Sequence, residues 1–350
     1  FFRNIFILIA SFILLSAISI ISVLWTYSND LPDYKFLKSY KPPVSSKVYS
    51  GNGDLVADFS QEKRVFVPFN SIPKNVINAF LSAEDKNFFK HPGVDAKGVI
   101  RAVINNISNI LSSKRLEGAS TITQQVAKNF LLTNEVSLNR KIKEAILAFR
   151  IERALSKERI LELYLNQIYL GSGAYGVAAA SLEYFDKSIK DLNYSEAALL
   201  AALPKAPSRY NPYRDPDIAK FRRNLVLKNL LDNNYLTSEW YEKLTKEEII
   251  LKKNKKIYLE DAQYFIEDVR KSVIETLSYD KVYKQGFNIN TPIDLNLQTI
   301  ATKSLRDGLI AYDKRKGWRG PLTNKIYNSE WKKDLEKYKL ENSINWKLAI

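Results

Sequence analysis

The chain has 350 residues, 45% of them apolar, which is enough for a packed core and leaves room for about two domains. Lysine and arginine number 53 against 38 aspartates and glutamates, a formal net charge of +15 that points to an anionic partner: nucleic acid, an anionic membrane surface or a phosphate-bearing substrate. The absence of cysteine excludes disulfides, thiolate catalysis and Cys-ligated zinc, and the absence of methionine even at position 1 suggests a start just after an initiator or a trimmed leader.

Asn4 to Trp25 carries no charge over 22 positions. A transmembrane helix needs about 20 such residues. Arg3 precedes the run and Trp25, Thr26 and Tyr27 close it with interfacial aromatics. A cleaved signal peptide would have a shorter apolar region, about 7–15 residues, and a small-residue cleavage site. Residues 1–27 are therefore read as an uncleaved anchor, with a short cytoplasmic N-terminus and the rest of the chain outside the cytoplasm. That placement argues against nucleic acid as the anionic partner.

Residues 28–72 read as a spacer followed by a β-hairpin linker. Residues 28–47 are rich in Pro, Ser and Lys, and a Gly51-Asn-Gly-Asp54 turn separates two β-prone runs between Val48 and Ala57. Arg64 to Pro68 is a further candidate strand. Residues 73–250 are mainly α. Val76, Ala79, Phe80 and Ala83 have helical spacing, and Ser120 is a candidate N-cap for a helix over 121–132. Helices follow over 138–154, 157–169, 177–185, 195–203, 218–231 and 238–250, interrupted by Pro204, Pro207, Pro212 and Pro216. Residues 251–350 begin with a charged junction, then alternate helix (261–277), strand (287–292) and helix (295–311). They end in a Lys-, Trp- and Tyr-rich stretch with no clear period.

Four polar clusters interrupt the apolar helical pattern. Glu84 follows an apolar run and shares a helix face with Phe88 if the helix continues. A carboxylate at the edge of a core would have a raised pKa and could take a proton near neutral pH, although a solvated acid in a last helical turn fits the same position. His91 is the only histidine, and a lone histidine more often orients a loop than performs chemistry. Thr121, Gln125 and Lys128 make a polar stripe with Gln124 beside it, either a solvated face or a cleft wall for sugar and phosphate. Arg140, Lys141 and Glu144 are either a helix ion pair worth about 0.3–0.5 kcal/mol or a pyrophosphate clamp. Glu158, Glu162 and Asn166 form a polar row on an otherwise apolar helix, read as structural for Glu162.

In this order and spacing the clusters closely resemble the family 51 glycosyltransferase domain of class A penicillin-binding proteins. The matching motifs are Glu84-Asp85-x-x-Phe88-x-x-His91-x-Gly93, Gly118-x-Ser120-Thr121-x-Thr123-Gln124-Gln125, Arg140-Lys141-x-x-Glu144 and Ile160-Leu161-Glu162-x-Tyr164-Leu165-Asn166. The resemblance extends through Tyr184-Phe185-x-Lys187, Glu196 to Pro204 and Tyr210-Asn-Pro212, covering roughly residues 45 to 235. Ala262 to Phe265, Thr291 to Gln298 and Gly317 to Pro321 look like the bifunctional 1a-type members.

The resemblance implies a mainly α, lysozyme-like domain behind an N-terminal transmembrane helix, with short β segments in the linker regions. It implies lipid II and the growing glycan strand as substrates, joined by inverting β-1,4 transfer with loss of polyprenyl pyrophosphate. The catalytic carboxylates are expected to be Glu84, as general base, and Glu144, near the pyrophosphate, where it would orient cations or help hold a divalent metal (Mg or Mn). Asp85, Phe88, His91, Ser120, Thr121, Gln124, Gln125, Lys128, Arg140 and Lys141 are expected to bind substrate. The implied location is the outer, periplasmic side of a bacterial inner membrane, with single-pass topology and other cell-wall synthesis proteins as further partners. The apolar residues Val99, Ile100, Val103, Ile104, Ile107, Ile110 and Leu111 either dip into that membrane or form an ordinary core helix. The bifunctional pattern is incomplete. Ser60-x-x-Lys63 and Ser71-x-x-Lys74 match a transpeptidase motif by letters only, before the transferase motifs, and no Lys-Thr-Gly occurs. Transpeptidase activity is not expected of this chain, which reads as a fragment lacking that half. A lytic glycosidase and a non-enzymatic scaffold remain as competing readings.

Overall fold

The computed structural model describes residues 26–28, 31–40, 42–60, 63–111, 118–133, 135, 137–252 and 260–317, with single positions at 4, 11, 14, 15, 18 and 22. The chain divides into two compact units, Phe1–Asp294 and Leu295–Ile350.

In the first unit the expected spacer is a docked strap. Leu37 is fully buried in the core, and Leu31, Tyr34 and Tyr40 pack against it. The Arg159 guanidinium donates to the carbonyls of Leu37 (3.1 Å) and Tyr40 (2.7 Å). The apolar residues spaced between the prolines and lysines find a core to bury in, so this segment is not left solvated. The expected hairpin forms: β1 (Ser46–Tyr49) pairs antiparallel with β2 (Leu55–Phe59). The strand expected over Arg64 to Pro68 shrinks to β3 (Lys63–Arg64). Asn166 takes the backbone of Val67 on both sides, accepting from its N–H (2.8 Å) and donating to its carbonyl (2.9 Å), and Pro68 has no N–H to offer a ladder.

The helical body follows as α1 (Lys74–Glu84), α2 (Ala96–Leu111), α3 (Ile122–Leu131), α4 (Leu138–Ala154) and α5 (Lys157–Gln167). Then come β4 (Ala174–Tyr175), α6 (Val177–Phe185), α7 (Tyr194–Ala202), α8 (Pro216–Asp232) and α9 (Ser238–Lys246). Pro216 opens α8 instead of breaking it, because the first helical position needs no N–H donor. α7 is alanine-rich and buried on nearly every side, which lets α1 and α8 pack closely against it. α3 packs against α4 and α5. Val76, Phe80, Ile122, Leu147, Leu161 and Leu227 are all fully buried in this one core. Each contributes about 1.5–3 kcal/mol relative to exposure.

α2 is not a core helix. Val99, Ile100, Val103, Ile104 and Ile107 are between 38% and 62% exposed, which leaves an apolar stripe open. The side chains of Ile110 and Leu111 lie outside the described residues. After α9, α10 (Gln263–Leu277) and α11 (Tyr279–Lys284) lead to β5 (Asn288–Asn290), which pairs parallel with β1 and makes the hairpin a three-stranded sheet. In the second unit the described residues form α12 (Leu295–Arg315), with Leu297, Ile300, Leu305 and Leu309 exposed.

Among the described residues no helix is long and apolar enough to cross a membrane. The anchor expected over Asn4 to Trp25 falls mostly outside them, as does the Lys- and Trp-rich stretch after residue 317.

Candidate active site

Glu84 is the last residue of α1. Asp85 leaves the helix with φ −158° and ψ 78°, so Phe88 lies on a separate 3-10 turn and does not share a helix face with Glu84 as the spacing suggested. Phe88 is fully buried, with the Lys157 ammonium 4.4 Å from its ring centre, so it supports the loop from beneath and offers no surface to a ligand. The Glu84 carboxylate is partly buried and accepts a hydrogen bond from the Gln125 amide at 2.7 Å. Burial pushes its pKa up, against the pull of that hydrogen bond and of the nearby cations Lys205 and Arg222, with the Asp85 charge adding to the rise. The Tyr164 hydroxyl, close enough to feel the Glu84 charge, is buried without a hydrogen-bond partner among the described residues, and burial holds that phenol well above its usual range.

Asp85 and His91 form a second layer. The Gly93 N–H donates to His91 Nδ1 (3.2 Å), which leaves the ring proton on Nε2, directed at the Asp85 carboxylate (3.0 Å). Asp85 also accepts from the Ile122 N–H (3.0 Å), so its charge faces the N-terminus of α3. Thr121, not Ser120, caps that helix. Its hydroxyl oxygen accepts from the Gln124 N–H, and the Gln124 side chain accepts from the Thr121 N–H, a reciprocal pair that requires the three-residue spacing. The Thr121 hydroxyl donates to the Gly93 carbonyl (2.6 Å), which fastens the first motif to the second. Thr121 and Gln124 are buried, so they are joints and not a solvated face. Gln125 and Lys128, three apart, keep one face of α3, and Lys128 pairs with no acid among the described residues.

Gly93 makes this joint possible. Its φ is +105°, and a Cβ there would sit 2.8 Å from the Ala148 backbone on α4. Gly93→Ala is expected to destabilise the protein by about 2–4 kcal/mol, through strain and collision together, measured by chemical denaturation.

The third cluster is a closed knot. Glu144 is 1% exposed and spends both oxygens on cations: Arg140 on Oε1, Lys141 on Oε2 at 2.7 Å. Lys141 also donates to the Ser120 hydroxyl (2.7 Å), which ties this motif to the second. The buried Arg140 Nε has no partner among the described residues. With both Glu144 oxygens occupied, and no group of three His, Asp or Glu gathered among the described residues, the chain's own residues do not fit a cage for Mg or Mn.

Glu162 and Asn166 clasp the segment before α1. Glu162 accepts from the Phe69 N–H (2.7 Å) and from Arg159, which makes it structural. Two cations near Glu84 escaped the motif reading. Lys205 follows the apolar run of α7 directly after Pro204, and Arg222 stacks over the Tyr210 ring at 4.9 Å. The available signal was the Arg222-Arg223 pair within one helix, of which Arg223 is fully buried and Arg222 is not.

The transglycosylase family model matches residues 52–231, just over half of the chain. The chain belongs to the transglycosylase family. Residues 52–231 form its transglycosylase domain, with the mainly helical, lysozyme-like fold of that family. Penicillin-binding protein 1A of Rickettsia felis is 48% identical over 330 residues, 94% of this chain and 42% of that protein. The Aquifex aeolicus protein of the same name is 49% identical over 283 residues, 81% of this chain and 38% of that protein. The crystal structure of penicillin-binding protein 1A from Haemophilus influenzae superposes with a TM-score of 0.52 at 28% identity, covering 87% of this chain and 36% of that one. The transglycosylase chain thus spans less than half the length of the relatives it matches.

Proposed function

We propose that the transglycosylase domain polymerises lipid II into glycan strands. The observation that carries this reading is the pairing of a proton acceptor with a separate cation clamp. Glu84 supplies the acceptor: a partly buried carboxylate with a raised pKa, held by Gln125. Arg140 and Lys141, both mounted on Glu144, supply the clamp. Glu84 takes the proton from the 4-hydroxyl of the acceptor GlcNAc as that oxygen bonds to the donor's anomeric carbon. The bond from that carbon to the pyrophosphate breaks on the opposite face, and the pyrophosphate leaves with the electron pair, inverting the centre. A sugar hydroxyl is a poor nucleophile and needs the positioned base. A pyrophosphate leaving group needs cations more than an acid, and Arg140, Lys141 and Lys128 supply them. Glu144 acts through those cations as a positioning residue.

The clamp favours this reading over a lytic glycosidase, whose neutral glycan substrate has no pyrophosphate to hold. The exposed apolar stripe of α2 supports work at a bilayer surface, where a polyprenyl substrate resides. Single-pass anchoring in a bacterial inner membrane, partnership with other cell-wall synthesis proteins and a DD-transpeptidase half in the full-length protein belong to the same proposal. The test is polymerisation of labelled lipid II by the chain, with and without divalent metal, against incubation with preformed glycan. Cleavage of glycan without polymerisation would replace the reading with the hydrolase.

The base also sets a pH dependence. Glu84 must be ionised to accept the proton, so activity falls as pH drops through its raised pKa. Gln125→Ala removes a hydrogen bond that favours the ionised form, and the acid limb of the rate profile is expected to move to higher pH. An unmoved limb would mean that Glu84 is not the group being titrated.

A further inference from the structure

A pocket of about 380 Å3 is lined by none of the residues placed around Glu84 and Glu144. Its walls come from the end of α6 (Phe185), from α7 (Leu199), from α8 (Arg223) and from the chain just after α9 (Ile249, Ile250). Arg223 is the largest fully buried side chain among the described residues. Its Nε and Nη2 donate to Asn224 Oδ1 at 3.0 and 2.9 Å, and Nη2 also donates to the Thr245 carbonyl at 3.2 Å. Those acceptors are neutral, and Nη1 is buried with no partner among the described residues. Burial draws the pKa of this guanidinium down, against the pull of the Glu247 and Glu248 charges. A buried charge is normally matched by an opposite one. Glu248 is taken by Lys220, and residues 253–259, which follow the pocket wall in the chain, include no acid. Lys187 lines the pocket too but is held by Glu196 at 2.6 Å, so Arg223 is the buried cation left for a ligand.

We propose that this pocket binds a monocarboxylate on a short apolar body, the group that ends a peptide with an apolar last residue or a short acyl chain, through an ion pair to Arg223. The free Nη1 supplies a charged donor to one carboxylate oxygen. Phe185, Leu199, Ile249 and Ile250 supply the apolar wall for the body. Glu247 and Glu248 line the same pocket, so a ligand with a second negative charge would meet them, and a monoanion is favoured over a phosphate or a diacid. The size of the pocket limits the body to a few carbons or one to two residues. The site stands independently of the lipid II reaction, because it uses neither Glu84 nor the cation clamp.

The test is isothermal titration of the full chain in nanodiscs with N-acetyl-leucyl-leucine, with its C-terminal amide and with hexanoate, empty nanodiscs serving as the blank. The dipeptide acid is expected to bind and its amide is not, and the acid should slow amide hydrogen exchange over residues 245–252. Arg223→Met keeps the bulk of the side chain without its charge and should weaken the acid at least about tenfold, the effect of losing a hydrogen bond to a charged group. Its thermal transition should be no lower than that of the parent chain, since an apolar replacement of an unmatched buried charge costs little. Ile250→Glu changes an exposed lining residue, adds a third carboxylate to the pocket and should weaken the acid to a similar degree. If Arg223→Met fails to fold, Ile250→Glu decides. Binding of hexanoate as well as the dipeptide acid assigns the site to acyl carboxylates in general, and binding of the dipeptide acid alone assigns it to a peptide end. Equal binding of acid and amide overturns the inference. So does binding of the acid unchanged in the variants that fold, or no binding of either carboxylate.

Discussion

Glu84→Gln is expected to reduce lipid II polymerisation by about 10²–10⁴-fold, the contribution of a positioned general base. The substitution keeps the shape of the side chain and an oxygen that can still accept from the Gln125 amide, so the joint between α1 and α3 survives. What it removes is the ability to take a proton. The thermal transition of the variant should match that of the parent chain, because burial already disfavours the charged form at this position. Binding of inorganic pyrophosphate should also be unchanged, since Arg140 and Lys141 are held by Glu144 and Ser120. A variant that polymerises at the parental rate would sink the assignment of the base while leaving the clamp intact.

The split between what the sequence revealed and what it concealed follows physical lines. α4 matches its expected limits because its signals are local: an N-cap serine at 137, an apolar stripe and a last turn before Ser156. The hairpin is equally local. The cap of α3 was misplaced by one residue because Ser and Thr are both good caps. Only the reciprocal bond to Gln124 decides between them, and it favours Thr121. The motifs gave Glu84, Arg140, Lys141 and Glu144 as candidates, and the three- and four-residue spacings already offered the ion pairs to Glu144 that the structure shows. That Ser120 anchors Lys141, or that Asp85 faces the N-terminus of α3, depends on pairs far apart in sequence. Phe88 was expected to bind substrate only because it stands in the first motif of the family the chain resembles. Its burial beneath the loop comes from the chain leaving the helix at Asp85, a local φ, ψ choice that no periodicity encodes. Lys205 and Arg222 were missed because each acts on Glu84 from far along the chain, outside the four motifs.

Glu144→Ala is expected to be as damaging to activity as loss of the base, by a different route. The side chain is the common acceptor of Arg140 and Lys141, and it is almost completely buried. Removing it leaves two cations without their counter-charge. Breaking a buried pair from one side costs about 3–5 kcal/mol, and the half-exposed Lys141 brings this toward the lower figure because water can replace its partner. Lys141 retains Ser120, whereas Arg140, with an unpartnered Nε already among the described residues, loses the one side-chain acceptor it has there and is free to leave the cleft. The clamp then has the same charge but no fixed geometry, and pre-organised charge is what stabilises a leaving pyrophosphate. Polymerisation should fall by at least about 10²-fold, with a matching loss of inhibition by inorganic pyrophosphate, an effect Glu84→Gln does not produce. Glu144→Gln tests the same point with little change in volume. An amide can accept from one cation but presents N–H to the other, so it should weaken pyrophosphate inhibition while largely preserving the fold. If both Glu144 variants bound pyrophosphate as tightly as the parent chain, the cations would not depend on Glu144 for their positions, and the role given to it would fail.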